Sequence, residues 1–176
     1  LPQSMIILGG GTIGIEWASL LNDYGVQVTI LEMADQILPS EDKDVSEAMM
    51  AHLKKKGIQI ITNANVLSHK IEQEEVIVQY ESLETQSEVS ANKLLISIGR
   101  EPNVENIGIE NTDIRLHHDY IETNDMYQTS ESHIYAIGDC IGGVQLAHVA
   151  AREGVIAIEH LAGLQPEKLD HHQIVK

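Results

Sequence analysis

The 176-residue chain is 43% hydrophobic, with no Phe, one Trp and one Cys, which is enough for one domain with a real core or for one domain plus a fragment, the core built mainly from Ile, Leu, Val and Ala. A formal net charge of −16 argues against a nucleic-acid backbone or an anionic membrane surface as partner. No apolar run reaches the length of a membrane span and no signal peptide is visible, so a soluble, cytoplasmic protein is expected, and the lone Cys140 excludes an internal disulfide.

Met5-Ile6-Ile7-Leu8 reads as a buried strand and leads directly into Gly9-Gly10-Gly11-Thr12-Ile13-Gly14. The helix expected next carries Ile13, Trp17, Leu20, Leu21 and Tyr24 at the spacing of one face, which assigns that face to the core. Gly25 supplies a left-handed residue to end it. Gln27 to Leu31 is a second apolar strand closed by Glu32, 18 positions after Gly14. A G-x-G-x-x-G turn between strand and helix is a dinucleotide-binding unit. Gly9 permits the tight turn, Gly11 lets backbone N–H groups approach a pyrophosphate, Gly14 allows close helix–strand contact, and the helix N-terminus favours the phosphates. A carboxylate at the end of the second strand accepts hydrogen bonds from both ribose hydroxyls and repels a 2′-phosphate. Met33 and Ala34 follow Glu32 with no arginine nearby, so NAD is expected rather than NADP.

Ser40 is the expected N-cap of a second helix, with Glu41, Asp42 and Asp44 in its first turn, Val45, Ala48, Met49 and Leu53 facing inward, and Lys54-Lys55-Lys56 before Gly57. Ile58 to Thr62 is a third strand. The period then changes, and Val66 to Ile71, Val76 to Glu81 and Ser87 to Ala91 read as an antiparallel meander. Leu94 to Ile98 resumes the buried-strand character and ends at Gly99. Ligands of open parallel sheets lie at the carboxyl ends of the strands, which makes Gly99 and the turn near Val66 candidate nicotinamide and adenine contacts. Farther on, Ile134 to Ile137 reads as a short buried strand, with Gly138-Asp139 placing a carboxylate in the loop at its end. The helix after Gly142-Gly143 lines up Ala147, Ala150, Ala151, Gly154, Ile158 and Leu161 along one side, suited to close packing on a sheet or a flat cofactor. The chain opens on Leu1-Pro2 almost at the first strand and is expected to be a piece of a longer protein.

Gly99-Arg100-Glu101-Pro102-Asn103 and His133-Ile134-Tyr135-Ala136-Ile137-Gly138-Asp139 resemble two signatures of the flavoprotein disulfide reductases, which bind two dinucleotides. Together with Gly14-Ile15-Glu16-Trp17-Ala18-Ser19 and Gln145-Leu146-Ala147-His148, they make the chain similar to the dihydrolipoamide dehydrogenase branch of that family over essentially all of its length. The resemblance implies an α/β fold: a Rossmann-like parallel sheet with an inserted antiparallel meander, then a trailing strand–helix segment of an incomplete FAD domain. It implies an NAD-binding domain over residues 1–115, a partial FAD-binding segment over 116–163, and a tail, 164–176, leading to a dimerisation domain outside the chain. NAD contacts are implied at Gly9, Gly10, Gly11, Thr12, Ile13, Gly14, Ile15, Glu16, Glu32, Val66 and Gly99. FAD contacts are implied at Asp139, Gln145, Leu146, Ala147 and His148.

The implied reaction passes electrons from dihydrolipoamide to an enzyme disulfide, from the resulting dithiol to FAD, and as hydride to NAD⁺. The cysteine pair, the first flavin-binding unit and the His–Glu base are expected outside this chain, which alone is expected to be inactive and to hold no catalytic residue. His148 and Glu153 match the spacing of that base, but five helical positions place them about 140° apart, so they cannot pair. His117-His118 and His171-His172 read as solvated loop residues rather than metal ligands, and Cys140 as a small residue beside the glycine turn. The lipoyl domains of a 2-oxo acid dehydrogenase complex are the implied partners. The trailing segment, short of neighbouring strands, is expected to dock on its own NAD domain or to pair with a second copy in a homodimer. Two other readings stay open: part of a different FAD-dependent disulfide reductase or NADH oxidase-like enzyme, and a non-catalytic NAD-binding module.

Overall fold

Two isoleucines side by side, Ile6 and Ile7, are both fully buried in the first strand, and this decides the layering of the first half of the chain. A strand with both faces covered belongs to the interior of a parallel sheet. In the computed structural model, which describes residues 1–174, β1 (Ser4–Leu8) lies at the centre of a four-stranded parallel sheet. Its neighbours are β2 (Gln27–Leu31) on one side and β7 (Lys93–Ile96) on the other, and β3 (Gln59–Ile61) lies outside β2, giving the order β3-β2-β1-β7. The register sets Ile7 opposite Ile30 and Leu95.

Ile7 joins the cluster formed with α1 (Thr12–Asp23) and α2 (Lys43–Lys55), which includes Ile15, Ala18, Leu21 and Leu53. Ile6 points into a second cluster with Leu31, Val78, Tyr80 and Ala91. These last three belong to the antiparallel meander of β4 (Ala64–Glu72), β5 (Glu75–Ser82) and β6 (Thr85–Ala91). Helices therefore cover one face of the parallel sheet and the meander covers the other, as the expected Rossmann-like fold with an inserted meander requires.

Two helix faces differ from the sequence reading. On α1 the buried residues are Gly14, Ile15, Ala18 and Leu21, whereas Ile13, Trp17, Leu20 and Tyr24 are exposed. The helix runs so close to β1 that only small and medium side chains fit beneath it, and the bulkier apolar row is left outside. On α2 the N-cap is Asp42, two residues after the expected Ser40, and Val45 and Ala48 lie outward while Ser46 and Leu53 are buried. Ser46 is accommodated because its Oγ donates to the Ile37 carbonyl at 2.7 Å.

The chain divides into two compact units, Leu1–Gly99 and a second that begins at Arg100, so residues 100–115 fall in the second. This second unit contains the two-residue strands β8 (Leu116–His117) and β9 (Tyr120–Ile121), paired antiparallel, and α3 (Ala147–Leu161). Ile134 to Ile137 is not a strand. Among the described residues only an isolated bridge between Gln128 and Tyr135 opposes it, and apolar composition without a ladder partner does not make a strand. α3 uses only part of the expected face: Ala150 and Gly154 lie against the Ile137–Gly138 turn, but the buried residues are Val149, Glu153, Ile156 and Ala157, and Ile158 and Leu161 are exposed. Small clusters of Val104, Ile121 and Ala136, and of Tyr127, Ile156 and Ala157, make up the core of this unit. The tail, expected over 164–176, includes a short 3-10 turn over His171–Gln173, and its last two positions lie outside the described residues.

Candidate functional site

In the first unit, the turn after β1 is shaped by what surrounds its glycines. Gly9 adopts φ +99°, and a Cβ there would collide with the Ser97 carbonyl. A Cβ on Gly14 would collide with the Gly9 carbonyl oxygen, so α1 can start this close to β1 only with glycine at that position. Ser97 ties the turn to β7, its Oγ donating to the carbonyls of Leu8 at 2.8 Å and Gly9 at 3.2 Å. The sequence reading did not single out Ser97, whose only signal is its position at the carboxyl end of a parallel strand beside the glycine turn.

Glu32 is 9% exposed. One carboxylate oxygen accepts from the Gly10 N–H and the other from the Ala34 N–H at 2.7 Å. Each oxygen retains a lone-pair site beyond the bond it makes. Ile37 closes the other side of the turn, and the Leu38 N–H donates to the Gly10 carbonyl at 2.8 Å. Gly11, the N-cap of α1, has no side chain to satisfy the first-turn N–H groups, and a Cβ built on it meets nothing within 4 Å. Thr12, Ile13 and Glu16 are exposed in the first turns of α1, whereas Ile15 packs inward. Val66 lies early in β4, next to a bulge at Leu67, and the turn before it is tied to Glu32, with the Ala64 N–H donating to the Glu32 carbonyl at 2.9 Å. Gly99 follows β7 with φ +146° and open space around it. Gly9, Gly10, Glu32 and Gly99 thus sit at the carboxyl ends of the parallel strands, with the start of α1 beside them.

The second unit has a turn of its own. Gly138–Ile141 is a short 3-10 segment in which the Gly138 N–H donates to Glu153 Oε2 at 2.7 Å. Asp139 leaves this turn toward solvent and pairs with Arg100, Oδ2 to Nη1 at 3.0 Å. Gln145 donates through Nε2 to the Asp139 carbonyl at 3.4 Å, and the Arg100 guanidinium reaches the Gln145 carbonyl at 3.5 Å. Asp139 and Gln145, both expected contacts, are therefore brought together, and Arg100 holds them. Leu146 is the N-cap of α3, with Ala147 and His148 exposed in its first turn. Buried Glu153 and exposed His148 do not meet. The sequence reading quoted Arg100 as part of a signature without giving it a partner, and it considered Glu153 only as a member of a dyad. The signal that would have found Glu153 is its place on one helical face with Val149, Ile156 and Ala157.

Cys140 is partly buried, its Sγ donating to the Ile137 carbonyl at 3.2 Å, and burial pushes its thiol pKa above the ordinary value. His117 and His118 stack edge to face on each other, with ring centroids 4.2 Å apart. A groove of about 640 Å³ runs beside them, lined by Tyr120, Ile121, Ile141 and Gly142, and shares only Gln145 with the expected contacts.

Parallel sheet, glycine turn and strand-end carboxylate define a Rossmann-type α/β protein. Residues 1–154 match the model of the pyridine nucleotide-disulphide oxidoreductases, and the chain belongs to that family. It is 56% identical over 172 residues to a dihydrolipoyl dehydrogenase of Bacillus subtilis (strain 168), an alignment covering 97% of this chain and 36% of that protein. A dihydrolipoyl dehydrogenase of Mycobacterium leprae (strain TN) is 40% identical, with 99% and 38% covered. Among solved structures, the HOCl-induced flavoprotein disulfide reductase RclA from Escherichia coli superposes with a TM-score of 0.86 at 32% identity, covering 96% of this chain and 38% of the other. LpdA from Mycobacterium tuberculosis gives 0.87 at 30% identity, covering 97% and 37%. The chain thus spans little more than a third of the length of the relatives it matches. Among the described residues no helix is long and apolar enough to cross a membrane.

Proposed function

We propose that this chain is the NAD-binding part, together with one flank of the flavin site, of a dihydrolipoyl dehydrogenase. The single observation that carries the reading is the Glu32–Gly10 contact at the carboxyl edge of the sheet, which sets a carboxylate and an open glycine turn side by side. The residues fit the cofactor. The space above Gly11 and the uncapped N–H groups at the start of α1 suit a pyrophosphate, and the free lone pairs of Glu32 suit ribose hydroxyls. All three arginines, Arg100, Arg115 and Arg152, lie outside Leu1–Gly99, so the first unit has no guanidinium for a 2′-phosphate. Thr12 to Glu16, Val66 and Gly99 complete the NAD contacts in this reading.

In the second unit, exposed Asp139 offers its carboxylate to a ribityl hydroxyl, and Gln145 to His148 offer the backbone at the start of α3. Bound FAD would supply the two-electron carrier between a dithiol and the nicotinamide. The chain's own residues bind and orient; the thiols that exchange with dihydrolipoamide belong to other parts of the enzyme. Its partners are then the lipoyl domains of a 2-oxo acid dehydrogenase complex. The superposition on RclA supports a second reading, part of another flavoprotein disulfide reductase. Dihydrolipoamide-dependent reduction of NAD⁺ by the full-length polypeptide separates the two: turnover upholds the first, and its absence in a flavin-loaded protein favours the second.

A further inference from the structure

Burying a carboxylate is costly, and a position on the buried face of α3, in one row with Val149, Ile156 and Ala157, would be filled more cheaply by an apolar side chain. Glu153 is nevertheless 3% exposed, and it spends its Oε2 on one backbone group, the Gly138 N–H at 2.7 Å. The surroundings show why that bond forms. α3 lies tightly over the Ile137–Gly138 turn, where a Cβ on Gly154 would come within 3.2 Å of Ile137 Cδ1 and one on Gly138 would lie 3.4 Å from the Ala150 methyl. This close approach partly encloses the Gly138 N–H, and the Glu153 carboxylate supplies its acceptor. Immediately after it comes Asp139, whose side chain leaves the core for Arg100.

We infer that Glu153 is a positioning residue: its buried carboxylate anchors the Gly138–Ile141 turn from behind and so fixes where the Asp139 carboxylate is presented. The inference rests on the reading of Asp139 as a flavin contact for its functional meaning, but the anchoring can be measured without flavin.

Cys140 lies inside the same turn and is the only cysteine of the chain, so its modification by an aromatic disulfide reports on that turn alone. The experiment compares the full chain with Glu153→Gln, which keeps an acceptor oxygen, and Glu153→Met, which keeps the volume and removes the acceptor. Labelling rates are measured at one pH, together with hydrogen exchange at the Gly138 and Asp139 amides. The Gln variant is expected within about twofold of the parent chain, and the Met variant to label about tenfold faster with loss of Gly138 protection. A role in packing alone would leave Met at the parent rate, and that result overturns the inference; so does a Gln variant as fast as Met. If Met does not fold, the Gln variant decides alone: retained Gly138 protection supports the anchor, and lost protection in a folded protein refutes it. Asp139→Asn, titrated with FAD in the full-length polypeptide, tests the flavin reading separately: unchanged FAD affinity there removes the contact while leaving the anchor standing.

Discussion

Each unit ends an apolar segment in a glycine turn, and in each a largely buried glutamate accepts a turn N–H: Glu32 from Gly10 and Glu153 from Gly138. What differs is the support. The first turn hangs on a four-stranded parallel sheet and is clamped by Ser97, Ile37 and α1. The second hangs on α3 and on the exposed Arg100–Asp139 pair, with no parallel strand behind it among the described residues. Exposed pairs of this kind contribute about 0–1 kcal/mol, so most of what holds the second turn comes from Glu153 and helix packing. A sheet presents a complete ligand edge, whereas a turn backed by one helix presents a flank.

The strongest test of this contrast is cofactor loading. The isolated chain should bind NADH in a calorimetric titration yet purify colourless and show no turnover with dihydrolipoamide and NAD⁺. Stoichiometric flavin absorbance in the purified chain would break the contrast outright. Next comes Gly14→Ala, which drives a methyl into the Gly9 carbonyl, a backbone atom that cannot swing aside. It should destabilise the first unit by about 1–3 kcal/mol and reduce NADH binding below detection. Denaturant unfolding and calorimetry check both parts, and an unchanged midpoint would show that the turn has more give than its geometry implies.

The parallel sheet, the meander and the glycine turn were legible because each has a local signal: apolar runs, alternation, and glycines at fixed offsets. The misread face of α1 comes from the difference between hydrophobicity and fit. Ile13, Trp17, Leu20 and Tyr24 form the bulkier apolar row of α1, yet Gly14 and Ala18 face the sheet because the helix must approach closely. On α3 the sequence reading followed a row of small residues, while the buried row is Val149, Glu153, Ile156 and Ala157 and leaves Ile158 and Leu161 exposed. Ile134 to Ile137 has strand composition without a strand to pair with, and pairing is not written in local sequence. Arg100 and Asp139, 39 residues apart, and Gly138 and Glu153, 15 apart, meet only through the packing of loops and helix, which no periodicity encodes.

A smaller effect is expected at Glu32. Glu32→Ala should weaken NADH by roughly 1.5–3 kcal/mol, the scale of a lost hydrogen bond to a charged group, and leave NADPH far less affected, narrowing the gap between them. Because the same carboxylate holds the Gly10 N–H, part of the loss should come from a looser turn, and Glu32→Gln should recover some affinity for NADH. Calorimetry with both nucleotides decides; equal affinities of NADH and NADPH for the unmodified chain would end the argument for NAD.

The slightest expected effect belongs to the second unit. Tyr127 is 6% exposed and packs with Ile156 and Ala157 in its core. Burial raises its phenol pKa above the ordinary value of 10.0, with the negative charges of Glu153 and Asp125 adding to the rise. A phenol harder to ionise when folded contributes stability that is fully present below the unfolded-state pKa, near 10, and is lost as pH climbs from there through the folded-state value, because only the unfolded chain sheds its proton in that window. Tyr127→Phe removes the proton without emptying the site. Near neutrality the variant should stay within about 1 kcal/mol of the parent chain. Above about pH 10 its unfolding midpoint should fall less steeply than that of the parent. Parallel curves for the two proteins across that range would mean that the Tyr127 hydroxyl reaches water, and that the core around Glu153 is looser than its burial implies.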